Sequence, residues 1–142
     1  MLNDIISAIS ERLYETFGAG YEVYKEQVKQ GLKPPCLLIT CVNSVYRPII
    51  GAKYVMENLF SVVCFPGSNT AANAELLGVQ GELFNALEYI EFGGTPLRGT
   101  GLGGQIVDGT LVFTINYNLF VHKPVEFEPM EKLEIPDVTL KG

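Results

Sequence analysis

The sequence predicts an α+β fold, in which a mixed or antiparallel β-sheet carries an N-terminal helix and a second helix packed on it. Residues 2–17 place apolar side chains at helical spacing, and residues 110–122 alternate apolar and polar side chains as a strand does. Asp108-Gly109 stands between apolar residues and is the preferred two-residue hairpin turn. A chain of 142 residues, 47% of them apolar, has the size and composition of one domain with its own core.

The first helix should end near Phe17, because Gly18-Ala19-Gly20 follows it. A weak alternation over residues 22–30 predicts a first strand, which Gly31-Leu32-Lys33-Pro34-Pro35 then breaks.

Two longer strands are predicted next. Residues 36–45 form a continuous apolar and β-branched run, as expected for a central strand that is covered on both faces. Residues 54–65 form the following strand. Between them, residues 46–53 contain Pro48 and Gly51, which predict a hairpin connection whose arms project beyond the core.

A turn at residues 66–70 precedes a second helix, which is predicted over residues 71–90 and packs on the sheet. Gly78 and Gly81 each weaken this helix by about 1 kcal/mol relative to Ala, so its apolar face must stabilise it. One or both glycines would allow the close approach of another backbone. One face of the helix is traced by Leu76, Leu77, Gln80, Leu83, Phe84, Leu87 and Ile90.

The segment Gly99-Thr100-Gly101-Leu102-Gly103-Gly104 has the form of the dinucleotide-binding fingerprint G-x-G-x-x-G. That fingerprint requires a strand before it and a helix N-terminus after it, where the pyrophosphate binds. Here a strand follows instead, and the chain leaves no room for a β-α-β crossover. We therefore expect a flexible or bulged loop and no bound cofactor.

The sequence contains no recognisable arrangement of catalytic or metal-binding side chains. His122 is the only histidine, which excludes a His-dependent triad or a two-His site within one chain. The odd number of cysteines indicates free thiols in a reducing compartment, and we expect buried core residues at Cys36, Cys41 and Cys64. A solvated helix face is the expected place of Glu75, Glu82, Glu88 and Glu91. The sequence thus predicts neither an enzyme nor a metal site.

Charge and hydropathy argue against two classes of partner. A net charge of −6 and scattered basic residues are unsuited to sequence-specific binding of nucleic acid. No apolar run approaches the ~20 residues that cross a bilayer, and the acids near the N-terminus do not fit a signal peptide. These features predict an unprocessed intracellular protein that binds no membrane.

Two segments suggest a surface for association. Arg47, flanked by Tyr46 and Pro48 in the predicted hairpin, combines residue types that are enriched at interface hot spots, although an ordinary turn explains them almost as well. After a domain over residues 1–123, residues 124–142 contain three prolines and several acids, which predict an extended tail. The expected interface residues are Tyr46, Arg47, Pro48, Lys53, Arg98, Leu102 and Phe127.

Several short phrases together carry a family resemblance over residues 2–123. They are the opening helix, Tyr21-Glu22-Val23-Tyr24, Lys33-Pro34-Pro35-Cys36, Tyr46-Arg47, Asp108-Gly109-Thr110-Leu111-Val112-Phe113 and Asn116-Tyr117-Asn118. In these phrases and in the order of its elements, the chain resembles the tail terminator proteins of phages and prophages of Gram-positive bacteria.

The resemblance implies a virion structural protein that forms a hexameric ring and is assembled in the cytoplasm of the bacterial host. Such a ring caps the finished tail tube, stops its polymerisation and joins the tail to the head connector. In headless contractile particles of the bacteriocin type, it would only cap. The implied partners are other copies of the chain, the tube protein, and the sheath and head-tail connector proteins.

Three alternatives remain at this point. The first is another head-tail connector subunit. The second is a tail tube subunit, and a tube subunit would form open stacks rather than one terminal ring. The third belongs to a different class: a small ligand-binding or enzymatic α+β domain that uses the groove between the second helix and the glycine-rich segment.

Overall fold

The computed structural model describes residues 2–25, 31–67 and 72–122. Its two helices are α1 (Leu2–Phe17) and α2 (Ala72–Ala86). The strands are β1 (Glu22–Tyr24), β2 (Cys36–Ile50), β3 (Lys53–Phe65), β4 (Tyr89–Phe92), β5 (Thr95–Val107) and β6 (Thr110–His122). They form one mixed sheet in the order β1-β2-β3-β6-β5-β4, in which β1 and β2 pair in parallel and all other neighbours pair antiparallel. The predicted α+β class is confirmed.

The two helices share one core with the sheet. Apolar side chains of α1 recur every fourth residue from Ile5 to Phe17, which places them on a single helix face. Regular antiparallel register brings side chains of β2, β3 and β6 side by side, and one such row is Leu37, Cys64 and Leu111. The buried core residues of the helices include Ile5, Ile9, Leu13, Leu76, Val79 and Leu83.

The elements with the clearest local signals have the predicted bounds. α1 ends at Phe17, and the amide of Gly18 still donates to the Tyr14 carbonyl at 2.8 Å. β6 covers residues 110–122 as predicted. The turn before it places Asp108 and Gly109 at φ of 51° and 73°, the left-handed conformation that this hairpin turn requires.

β2 differs from its prediction in length and in position. It continues through the predicted connection to Ile50, so the turn to β3 is only Gly51-Ala52. It is not central, because β1 pairs with it only along residues 36–38, whereas β3 and β6 occupy the middle of the sheet. It is not covered on both faces either, since residues 42–50 are exposed.

The region after β3 also differs from its prediction. α2 ends at Ala86, whose carbonyl accepts a hydrogen bond from Nε of Arg12 at 2.8 Å. β4 follows within three residues, and it is this strand rather than the helix that buries Ile90. The predicted face of α2 was partly wrong, because Leu77 is 60% exposed while Val79 is buried.

The glycine-rich segment is a strand and not a loop. It lies in β5, with a bulge between Thr100 and Gly103, as its pairing with β6 shows. A Cβ at Gly99 would overlap the side chain of Ile115, so glycine lets β5 pack against this core residue. At Gly78 and Gly81 of α2, by contrast, a Cβ would meet nothing within 4 Å, and the expected close approach of another backbone is wrong for the described part of the chain.

Asn58 joins β2, β3 and β6 at the boundary of the core. Its side chain is fully buried, and its Nδ2 donates to the Tyr117 carbonyl of β6 at 3.0 Å. Its Oδ1 accepts a hydrogen bond from the Ser44 hydroxyl of β2 at 2.6 Å. Both ends of this buried amide are therefore satisfied, as the cost of burying a polar group requires.

The cysteines and one acid refine the sequence-based expectations. Cys36 and Cys64 are fully buried, whereas Cys41 is only half-buried. Burial raises the pKa of the Cys64 thiol to about 12, and the charge of Glu75 contributes to this rise. Glu75 is not part of a solvated face, because it accepts hydrogen bonds from the Tyr21 hydroxyl at 2.5 Å and from the Gly67 amide at 3.2 Å.

Three predictions concern segments that extend outside the described residues. The first strand, predicted over 22–30, is described only at Glu22–Tyr24, since residues 26–30 lie outside. The turn at 66–70 and the first residue of the predicted helix over 71–90 overlap the undescribed residues 68–71. The predicted tail over 124–142 lies entirely outside them.

Replacing Asn58 with Ala should lower the free energy of unfolding by about 1–3 kcal/mol, because the buried Tyr117 carbonyl and the Ser44 hydroxyl lose their partner. Urea unfolding measures the change. Asn85→Ala is the control, since Asn85 is exposed and should change stability by less than about 0.5 kcal/mol. Equal effects of the two variants would contradict the structural role of Asn58.

Two glycines of β5 allow a matched comparison. Gly99→Ala should destabilise the protein by about 1–3 kcal/mol, because the new Cβ must displace the buried Ile115 side chain. Gly103→Ala adds a Cβ that meets nothing within 4 Å and should be nearly neutral. Thermal unfolding of both variants tests the prediction, and a neutral Gly99→Ala would show that β5 does not pack as described.

Candidate assembly interface

The strands β2, β3 and β6 extend beyond the part of the sheet that the helices cover. Residues 42–50 of β2 are all exposed, although the pairing of β2 with β3 continues to the turn. β6 accompanies β3 to the same end, where His122 pairs with Lys53. We call this extension the projecting ribbon; it consists of residues 44–50, 53–58 and 118–122.

The projecting ribbon exposes large apolar side chains. The exposed fractions are 41% for Val45, 43% for Tyr46, 49% for Ile49, 74% for Ile50 and 71% for Phe120. Burying one such side chain completely is worth about 1.5–3 kcal/mol. A cluster of exposed apolar residues on one structural element is typical of a surface that binds another protein.

On the side away from the helices, strand register places Arg47, Val55 and Phe120 next to one another. Val55 is only 6% exposed, because its two neighbours flank it. Nη2 of Arg47 lies 3.1 Å from Oε2 of Glu57, and Nζ of Lys53 lies 5.6 Å from the centroid of the Phe120 ring. This side therefore combines an apolar centre with two cations. We call it the open side of the ribbon.

On the opposite side of the ribbon, two aromatic rings are stacked. The centroids of Tyr46 and Tyr54 are 4.9 Å apart, and the rings are inclined by 2°. Met56 and Leu119 stand in the same row as Tyr46. Tyrosine rings offer large contact areas with little rotamer freedom to lose, so this side also suits a protein partner.

The two edges of the ribbon lack strand partners within the described residues. β1 pairs with β2 only along residues 36–38, and β5 reaches no further along β6 than Tyr117. The β2 edge carries Pro48, which has no amide to donate, and its register shifts between Cys41 and Asn43 and again between Pro48 and Ile50. Such features discourage indiscriminate pairing with other strands.

The structure brings together four of the seven predicted interface residues: Tyr46, Arg47, Pro48 and Lys53. Arg98 and Leu102 lie apart from them in β5. Arg98 is 3.8 Å from a carboxylate oxygen of Glu88, whereas Leu102 is half-buried against the core. Phe127 lies outside the described residues.

Sequence reasoning missed several exposed apolar residues of the ribbon. Val45, Ile49, Ile50 and Phe120 are not among the predicted interface residues. Val45 and Phe120 belong to runs that also fit a buried strand, whereas Ile49 and Ile50 fall in the predicted hairpin connection. A signal for Phe120 was present, since Leu119-Phe120-Val121 interrupts the alternation of β6 and exposes one apolar side chain. For Ile49 and Ile50, the position beside Pro48 was the available indication.

Other kinds of site find less support. A groove of about 400 Å³ lies on the helix-free face of the sheet, and its lining includes Asn43, Thr100, Asn116 and Asn118. The ligand-binding alternative requires a different groove, between α2 and the glycine-rich segment. Among residues 2–25, 31–67 and 72–122, no group of three His, Cys, Asp or Glu is placed to hold a metal ion. Neither described helix is long and apolar enough to span a membrane.

The Arg47–Glu57 ion pair should contribute little to folding, because both side chains are exposed to solvent. We expect a double-mutant cycle with Arg47→Ala and Glu57→Ala to give a coupling below about 1 kcal/mol in urea unfolding. The Arg98–Glu88 pair, which is longer and similarly exposed, is the control. A coupling well above that of the control would mean that this ion pair helps to hold the ribbon together.

Comparison with known proteins gives one decisive match. No curated protein matches the sequence. One solved structure aligns with 90% of this chain and 99% of its own at 16% identity, but its TM-score of 0.46 is too low to support an argument. The family of phage tail terminator proteins matches residues 4–129, which include every described helix and strand except the first two residues of α1. The chain therefore belongs to the phage tail terminator family and is a structural protein of the phage tail.

Proposed function

We propose that copies of this protein form a closed ring, with six copies in each ring, which caps the end of the tail tube and stops its polymerisation. The same ring would present a surface to the head connector or to the sheath. The projecting ribbon carries this proposal, because its exposed apolar side chains need partners. Assembly in the cytoplasm of a Gram-positive host belongs to the same proposal.

The geometry of the ribbon suits contacts that close into a ring. A ring requires two different surfaces on each subunit, which meet head to tail. The β2 and β6 sides of the ribbon differ in sequence, and the two strands run in the same direction because both are antiparallel to β3. A neighbour related by rotation would therefore present its β6 side to this β2 side, whereas contact between two β2 sides would end in a dimer.

The charge of the protein is compatible with a ring through which DNA passes. The net charge is −6, so phosphates are repelled by the surface as a whole. Four of the eight residues that line the helix-free groove carry a neutral amide or hydroxyl, and the one charged residue, Glu57, is acidic. A lumen of this character would let DNA slide without binding it.

The functional test is the mass of the purified protein by light scattering, with and without tail tubes, combined with electron microscopy of the tubes. We expect one discrete ring at one end of each tube, formed either in solution or only on the tube. Open stacks would instead indicate a tube subunit. A monomer that never binds tube ends would contradict the proposal.

The double variant Ile50→Ser and Phe120→Ser should prevent ring formation without unfolding the protein. Both side chains are more than 70% exposed, so stability should change by less than about 0.5 kcal/mol. The loss of their burial should raise the concentration needed for rings at least about tenfold. Leu77→Ser removes a 60% exposed residue of α2 and is the control. Rings lost only in the control would place the interface on the helices.

A further inference from the structure

The described chain ends at the far end of the projecting ribbon. His122, the last residue of β6, pairs with Lys53, which directly follows the Gly51-Ala52 turn. β6 runs toward this end and reaches it at His122, so the remaining residues of the chain, including residues 124–137, are attached at the tip of the ribbon. A segment of 14 residues reaches up to about 45 Å when extended, whereas seven residues of β2 span about 23 Å.

The sequence of this segment complements the open side of the ribbon. Between residues 124 and 137 there are five acids and one lysine. The ribbon has the opposite balance, with Arg47 and Lys53 against Glu57 alone, although the whole chain is acidic. The apolar residues of the segment are Val125, Phe127, Met130, Leu133 and Ile135.

The start of the segment also has the pattern of a strand with one apolar face. Val125 and Phe127 alternate with Glu126 and Glu128. Laid across the ribbon, such a segment would turn Val125 and Phe127 toward Phe120, while Glu126 and Glu128 would face solvent, where only the long side chains of cations at the rim can reach them.

We propose that residues 124–137 act as an arm that covers the open side of the projecting ribbon on a neighbouring copy of the chain. Apolar residues of the arm contact Phe120 and Val45, and its carboxylates lie near Arg47 and Lys53. The neighbouring copy is the recipient because β6 runs outward along the ribbon up to His122, its last described residue. This inference rests on one part of the proposed function, namely that copies of the protein contact one another.

The test uses the full-length chain with the photo-crosslinking residue p-benzoylphenylalanine in place of Phe127. Equal amounts of ¹⁵N-labelled and unlabelled chains are mixed, irradiated alone and on tail tubes, and digested for mass spectrometry. We expect crosslinks between a ¹⁵N-labelled chain and an unlabelled chain. Each should join position 127 of one chain to a residue of the projecting ribbon of the other. Phe120→Ser should reduce them about tenfold, as expected for loss of a central anchor. The control Leu77→Ser should leave them unchanged.

Three outcomes would overturn the arm. The first is crosslinks confined to one chain. The second is crosslinks from Phe127 that end on the helices of another chain or on the tube protein. The third is the absence of crosslinks both in solution and on tail tubes. Its failure is distinguishable from that of the proposed function. Rings on tubes with crosslinks elsewhere would refute only the arm, whereas crosslinks to the ribbon without binding to tube ends would refute only the terminal ring.

Discussion

The backbone pairing of β3 with both of its neighbours holds the core and the projecting ribbon together. β3 pairs with β2 from Phe65 to Lys53 and with β6 from Cys64 to Lys53. No other described strand is paired on both sides over its whole length. Asn58 lies where the helix-covered part gives way to the ribbon, and its buried amide bonds to both neighbouring strands. The ribbon can project without helices because its strands are continuous with those of the core.

This continuity gives one sheet two different environments. In β6, Leu111, Phe113 and Ile115 are fully buried under the helices, while Leu119 and Val121, on the same side of the strand, are only half-buried. Strand pairing satisfies the backbone of β3 in both parts, so the parts differ mainly in what covers their side chains. An exposed apolar ribbon is a liability for a protein that stays alone and an advantage for one that assembles. Membership of a family of tail structural proteins agrees with the second case.

Local patterns were sufficient to predict some elements and insufficient for others. α1 and β6 followed from spacings that only one secondary structure produces, and Asp108-Gly109 specified the turn before β6. β5 could not be predicted in this way, since its glycines are explained by the Ile115 side chain that packs against Gly99. The extent of β2 was misjudged for another reason. An apolar run that serves a partner surface has the same composition as one that is buried, so sequence alone did not show that residues 42–45 are exposed, whereas it did predict projecting arms over residues 46–53.

The central claim is that the projecting ribbon is the surface through which this tail protein assembles. Hydrogen exchange of the free protein, compared with protein bound to tail tubes, tests it directly, because amides that become buried in an interface exchange more slowly. The account predicts new protection for the amides of residues 44–50 and 118–122, with little change in α1. Protection that increases only in the helices, with the ribbon exchanging as fast as in the free protein, would contradict it.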